Sequence, residues 1–215
     1  MSRTIRFALA SLAVAVAGTG CMNASSLQSP RTLKPGEERA TVGVGYTAIE
    51  EGDILAPYFL EFSYRAGIIE NLDAGLKVTL LGSTSIDGKY QFLDLEGLSM
   101  SAGLSLGGYQ ISITSTGADG EEIEASTNVL DVAVPVFVGY DVADWFTVYA
   151  VPKYVMRSSF GTDQDTAFNH FYGATAGIKL GDTWGLFAEG SALAASEGDA
   201  VMQGNLSFFY TPDFF

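Results

Sequence analysis

The single histidine of the chain, His170, stands two positions before Tyr172 and a few positions after Asp163 and Asp165. A histidine works as a general base for a nucleophile held beside it. Here a phenol takes that place, so no catalytic residue is assigned and His170 reads as a rim residue. With one histidine and one cysteine, no metal site built on those ligands is expected. The acidic runs Asp119-Gly120-Glu121-Glu122 and Asp163-Gln164-Asp165 offer oxygens that would hold calcium weakly, and they read as solvated loops. Gly103 to Gly108, "GLSLGG", has glycine spacing without a following helix, which is not a phosphate loop. The expectation is a protein that is not an enzyme and carries no cofactor and no metal.

The remaining reactive group is Cys21. Ahead of it, Arg3 and Arg6 precede a short apolar stretch, Phe7 to Ala17, in the order of an export signal. Gly18-Thr19-Gly20-Cys21 resembles the lipobox of bacterial lipoproteins. That resemblance implies removal of residues 1–20, acylation of Cys21 and, with Met22 rather than aspartate following, sorting to the outer membrane. The alternative is cleavage after Ala15-Val16-Ala17, which leaves Cys21 as a lone thiol. Residues 22–39 are polar and aperiodic and read as a flexible periplasmic linker, so lipid anchor and linker together occupy 21–40.

The elements that must position any site follow a period of two. Hydrophobic residues make up 47% of the 215 and charged ones 17%, with a net charge of −14. Beyond the leader no apolar run approaches the ~18 residues a membrane helix needs, and no basic patch is available for nucleic acid. Ten segments alternate: 41–49, 56–66, 72–81, 86–93, 98–111, 123–140, 145–157, 168–180, 184–193 and 200–210. Connections centred on Ile69, Leu95, Val142 and Asp182 are short. Those after the third, fifth and seventh segments are longer, as in "TSTGADGEEIEAS" and "SSFGTDQDTA". Past the linker all six basic residues, Arg65, Lys77, Lys89, Lys153, Arg157 and Lys179, share the parity of the small polar residues. Runs such as Leu72-Ala74-Leu76-Val78-Leu80 and Leu130-Val132-Val134-Val136-Val138 fill the other. A soluble sheet would scatter lysine and glutamate over its outer face; here the apolar parity is the one that suits lipid. Aromatics lie on it near both ends: Tyr64, Phe92, Tyr140, Phe146, Trp184 and Tyr210 at one, and Tyr46, Tyr58, Tyr154 and Tyr172 at the other.

Residues 41–215 thus resemble the small bacterial outer-membrane β-barrels, with "RAGIIENLDAGLKV" and "GKYQFLDLEGLSMSAGL" having their strand, tight turn and strand. The last strand, Met202 to Tyr210, followed by Phe215, is similar to their aromatic-ended assembly signal. The resemblance implies a closed antiparallel up-and-down barrel of ten strands, or eight if two segments are loops. It also implies contact with membrane lipid and lipopolysaccharide, and help from the barrel-assembly machinery. Some such barrels are enzymes, but Tyr172 departs from the His-x-Ser of the lipid deacylases, and Asp163, Asp165 and His170 echo the omptin proteases only thinly.

Turns centred on Ile69 and Val142 set paired positions. They predict lumen ion pairs Arg65–Asp73, Glu61–Lys77 and Asp131–Lys153, with Lys89, Arg157, Lys179 and Glu189 as further lumen charges. The reading reached is a monomeric outer-membrane barrel with a polar, ion-paired lumen, acidic outer loops and a structural or surface-interaction role. A narrow, weakly cation-selective channel and a soluble lipidated calyx for an apolar ligand stand as alternatives.

Overall fold

The computed structural model describes residues 24–49, 59–80, 82–116, 122–161, 164–196 and 200–212. Alternation makes strands and nothing competes with it. The ten are β1 Glu38–Ile49, β2 Phe59–Ile69, β3 Leu72–Thr79, β4 Thr84–Asp94, β5 Leu98–Thr116, β6 Glu122–Ala143, β7 Phe146–Gly161, β8 Gln164–Gly181, β9 Trp184–Ala195 and β10 Ala200–Tyr210. Each pairs antiparallel with its neighbours in sequence, and β1 closes on β10, with Val42 opposite Phe208 and Val44 opposite Leu206. The sheet is a closed ten-stranded barrel, so the eight-stranded alternative is set aside.

The apolar parity lies outside. Leu60, Phe62, Leu76, Val78, Leu104, Leu106, Leu130, Leu206 and Phe208 are all exposed, while Glu61, Arg65, Asp73, Lys89 and Arg157 are buried within. A soluble calyx needs the opposite arrangement, and an exposed apolar belt running round a barrel is what hydrocarbon, not water, accommodates. Tyr64, Phe92, Tyr140 and Trp184 are exposed at the short-turn end, and Tyr46 and Tyr172 at the other; Tyr58 lies outside the described residues.

Two expectations are corrected. The acidic stretches after the fifth and seventh strands are mostly strand: pairing runs from Ile111↔Thr127 to Thr116↔Glu122, and from Ser159↔Ala167 to Gly161↔Gln164. The β-branched residues Ile111, Ile113, Thr114 and Thr116 favour the pleated ladder. Strands β5 to β8 reach 19, 22, 16 and 18 residues, about twice the 9–11 that cross a bilayer. They rise past the other strands as a tall wall at the long-loop end. Conversely, the expected long connection after the third strand is short: the Gly82 N–H bonds the Thr79 carbonyl at 3.0 Å and the Thr79 N–H the Ser83 carbonyl at 2.9 Å.

The registers also differ. β2 continues to Ile69 and turns at Glu70 and Asn71, the latter at φ 62°, a backbone that asparagine tolerates, with a bulge between Gly67 and Ile69. Ser63 therefore faces Lys77, Arg65 faces Gly75 and Glu61 faces Thr79. Likewise β6 continues to Ala143, and Asp131 faces Arg157 while Lys153 faces Pro135. Both shifts are by an even number of residues, so every side chain keeps its face and only the partners change.

Candidate functional site: the lumen and the segment threaded through it

Residues 24–37 are not a free linker. The turn at Pro35 and Gly36, with Gly36 at φ 82°, is held at the short-turn end by Gly36 N–H to the Gly67 carbonyl at 3.0 Å and Gly67 N–H to the Glu37 carbonyl at 2.9 Å. From there the chain climbs, towards its N-terminus, inside the barrel. Gly67 is required here, because a Cβ on it would stand 1.9 Å from the Lys34 carbonyl oxygen; one on Gly139 would stand 2.5 Å from Pro30 Cγ.

The wall grips the main chain of this strap residue by residue. The Leu33 N–H donates to Asp73 at 3.1 Å and the Thr32 N–H to Gln91 at 2.9 Å. Lys89 Nζ donates to the carbonyls of Arg31 at 3.2 Å and Ser29 at 2.7 Å, and the Ser101 hydroxyl to that of Pro30. Glu189 receives the N–H groups of Leu27 and Ser26, both at 2.7 Å, and the Tyr149 hydroxyl at 2.8 Å. Lys77 reaches the Ser25 carbonyl at 2.8 Å, and Lys153 the Ala24 carbonyl at 2.5 Å, with Thr175 and Ser191 on the same oxygen at 3.2 and 3.3 Å. The Ala24 N–H donates to Gln203 at 2.7 Å. At Gln28 the contact is through the side chain instead, on Asp87 at 3.2 Å. Buried main-chain groups need such partners, and in an extended segment with no strand beside it only wall side chains supply them.

Apolar contacts fix its depth. Leu27 is enclosed with Phe137, Tyr149, Val151, Phe187 and Phe209, and Ala24 with Val155, Phe171 and Leu193. Leu193 and Val155 belong to the upper halves of β9 and β7, so Ala24 stands in the long-loop half of the lumen. At the entrance Arg31 donates to Asp141 at 2.5 Å and to Asp94 at 2.7 Å. Burial lowers its pKa, but hydrogen bonds and charge from both carboxylates outweigh this and hold it above the ordinary value.

The charges singled out in the sequence meet as follows. Arg65 forms ion pairs with Asp73 and Asp87, and Lys89 stands 3.4 Å from Asp73. Glu61 and Lys77 converge on the Ser25 hydroxyl, at 2.8 and 3.1 Å. Asp131 takes Arg157 in a two-pronged pair at 2.7 Å, while Lys153 serves the strap. Lys179 lies 5.6 Å from the Phe209 ring centre. Cys21 and Asp163 lie outside the described residues. His170 faces outward, where its Nδ1 shares a hydrogen bond of 2.6 Å with the Tyr154 hydroxyl and its ring stacks on the same tyrosine. Among the described residues no group of three or more metal-ligating side chains comes together.

Beside the strap, against β2 to β6, a cavity of about 120 Å³ remains, lined by Ser63, Gly75, Ser85, Gly103, Ser105 and Gly107 among others. The lumen is thus two-sided: aromatic where the strap packs, small and polar opposite. No protein-family model matches the chain, and no characterised protein matches it in sequence. Among the solved structures it resembles are outer-membrane barrels. They include the translocator domain of the autotransporter NalP of Neisseria meningitidis (15% identity, 96% of this chain and 95% of that one, TM-score 0.46). The outer membrane protease OmpT of Escherichia coli gives 12%, 86%, 100% and 0.48. Ail of Yersinia pestis, solved with a heparin analogue, gives 9%, 83%, 99% and 0.47. The likeness is one of fold; no residue role or activity carries over.

Asp73 is fully enclosed and faces Arg65, Lys89 and the Leu33 N–H, whereas Asp94 is half-exposed. Asp73→Asn is expected to destabilise the folded barrel by about 3–5 kcal/mol, and Asp94→Asn by about 1 kcal/mol or less. Urea unfolding in lipid vesicles measures both; equal losses would show that the enclosed network does not hold the barrel.

Proposed function

We propose that the protein is an outer-membrane barrel of a Gram-negative bacterium, closed by its own N-terminal segment and serving a structural or surface-interaction role rather than general solute passage. The observation that carries this reading is the occupancy of the lumen: in nine of the ten residues 24–33 a main-chain group is held by a wall side chain. In the usual orientation of such barrels the short turns face the periplasm. The tall β5 to β8 wall then stands at the cell surface, as a platform for lipopolysaccharide or a partner.

The cavity beside the strap supports one second reading, a narrow channel. Single-channel recording in planar bilayers separates the two. The intact chain is expected to give no resolved current steps, and a chain lacking residues 24–33 to conduct. Small cation-selective steps from the intact chain favour the narrow channel, and equal conductance from both chains rules out closure by the strap.

The tether belongs to this reading as well. The strap runs away from the short-turn end, so a chain acylated at Cys21 would be anchored from the outer-mouth side rather than through a periplasmic linker. An epitope placed directly ahead of Ala24 is then bound by antibody on intact cells. Binding only after the outer membrane is permeabilised would return the tether to the periplasmic side.

A further inference from the structure

We infer that the lumen is a binding site for an extended peptide, of which residues 24–33 are the resident occupant, and that it accepts a second chain in trans once the strap is withdrawn. This rests on the strap occupying the lumen, as proposed above. Three observations support it. The ten-stranded wall is closed through its own ladder, β1 to β10 included, so the strap is a guest of the sheet and not one of its strands. Its attachment to β1 is the single turn at Pro35 and Gly36. And the wall addresses it chiefly through main-chain groups, which any extended peptide carries: lysines 77, 89 and 153 on carbonyls, Glu189 on two successive N–H groups, Gln91, Asp73 and Gln203 on others.

Side-chain contacts narrow the class of ligand. The Ser25 hydroxyl donates to Glu61 at 2.8 Å and the Ser26 hydroxyl accepts from Lys153 at 3.0 Å. Leu27 enters the aromatic cluster of Phe137, Tyr149, Phe187 and Phe209. Arg31 is clasped by Asp94 and Asp141 at the short-turn end. The site therefore suits an extended peptide with two consecutive hydroxyl-bearing residues, an aliphatic residue next, and a basic residue four positions further on, entering from the short-turn end.

The test uses a fluorescent synthetic peptide of residues 24–33 and three folded proteins in detergent: the intact chain, the full-length variant Leu27→Asp, whose strap is driven from the aromatic cluster, and the chain lacking residues 24–33. Heat-shifted gel mobility establishes folding of each. Binding, read by anisotropy, is expected for at least one variant and not for the intact chain. A peptide N-methylated at the Ser26 and Leu27 positions loses the two N–H donors to Glu189 and is expected to bind about tenfold or more weakly. A peptide with alanine at the Gln28 and Thr32 positions is expected to stay within about threefold of the parent. Equal binding of the N-methylated and parent peptides, or no binding to any folded variant, overturns the inference. Equal uptake by the intact chain and the variants would instead overturn closure by the strap.

Discussion

A closed wall that turns charged side chains inward must find partners for them inside, and here the partner is a main chain. Lys77, Lys89, Lys153, Glu61 and Glu189 sit on lumen positions of five different strands. The cost of enclosing unpaired charge is several kcal/mol per group. Some of that cost is met by ion pairs among wall residues, such as Arg157 with Asp131. The rest is met by carbonyls and N–H groups of residues 24–33, which by themselves would be just as costly to enclose. Strap and wall each supply hydrogen-bond partners that the other lacks.

The same dependence explains the lumen's asymmetry. Aromatic side chains on one side, Phe137, Tyr149, Phe187 and Phe209, leave a slot that Leu27 completes. On the opposite side Ser63, Ser85, Ser105 and a row of glycines let the wall come close without filling the space, which leaves the cavity. Packing positions the strap and polar contacts set its register. The pair Arg31 with Asp94 and Asp141 at the entrance, together with the turn hydrogen bonds to Gly67, locks the end that joins β1. Outside, the exposed apolar belt suits hydrocarbon, so in a bilayer the barrel would have lipid on one face and its own chain on the other.

Much of this was legible in the residues. Alternation located all ten strands, and parity assigned Phe62 and Leu76 outward and Glu61 and Lys77 inward, as found. Pairing partners were not legible, because moving the turn's centre by one residue, from Ile69 to Glu70, preserves parity while moving every partner by two. Acids and glycines after β5 and β7 signal loops, although β-branched neighbours extend the ladder as far as Thr116 and Glu122. The strap was missed because an extended segment with no sheet partner has no period. Two signals did point to it: Leu27 and Leu33 inside a polar stretch, and aromatics such as Phe187 and Phe209 on the lumen parity, where a purely polar lumen has no use for them.

Residues 24–33 occupy the lumen as a bonded guest. Amide hydrogen exchange in the folded, detergent-solubilised protein tests it directly at Ser26, Leu27, Thr32 and Leu33, whose N–H groups end on Glu189, Gln91 and Asp73. Protection at these four amides comparable to that of amides in the barrel strands is expected. Exchange at the rate of an unstructured peptide, with the strands still protected, would contradict it.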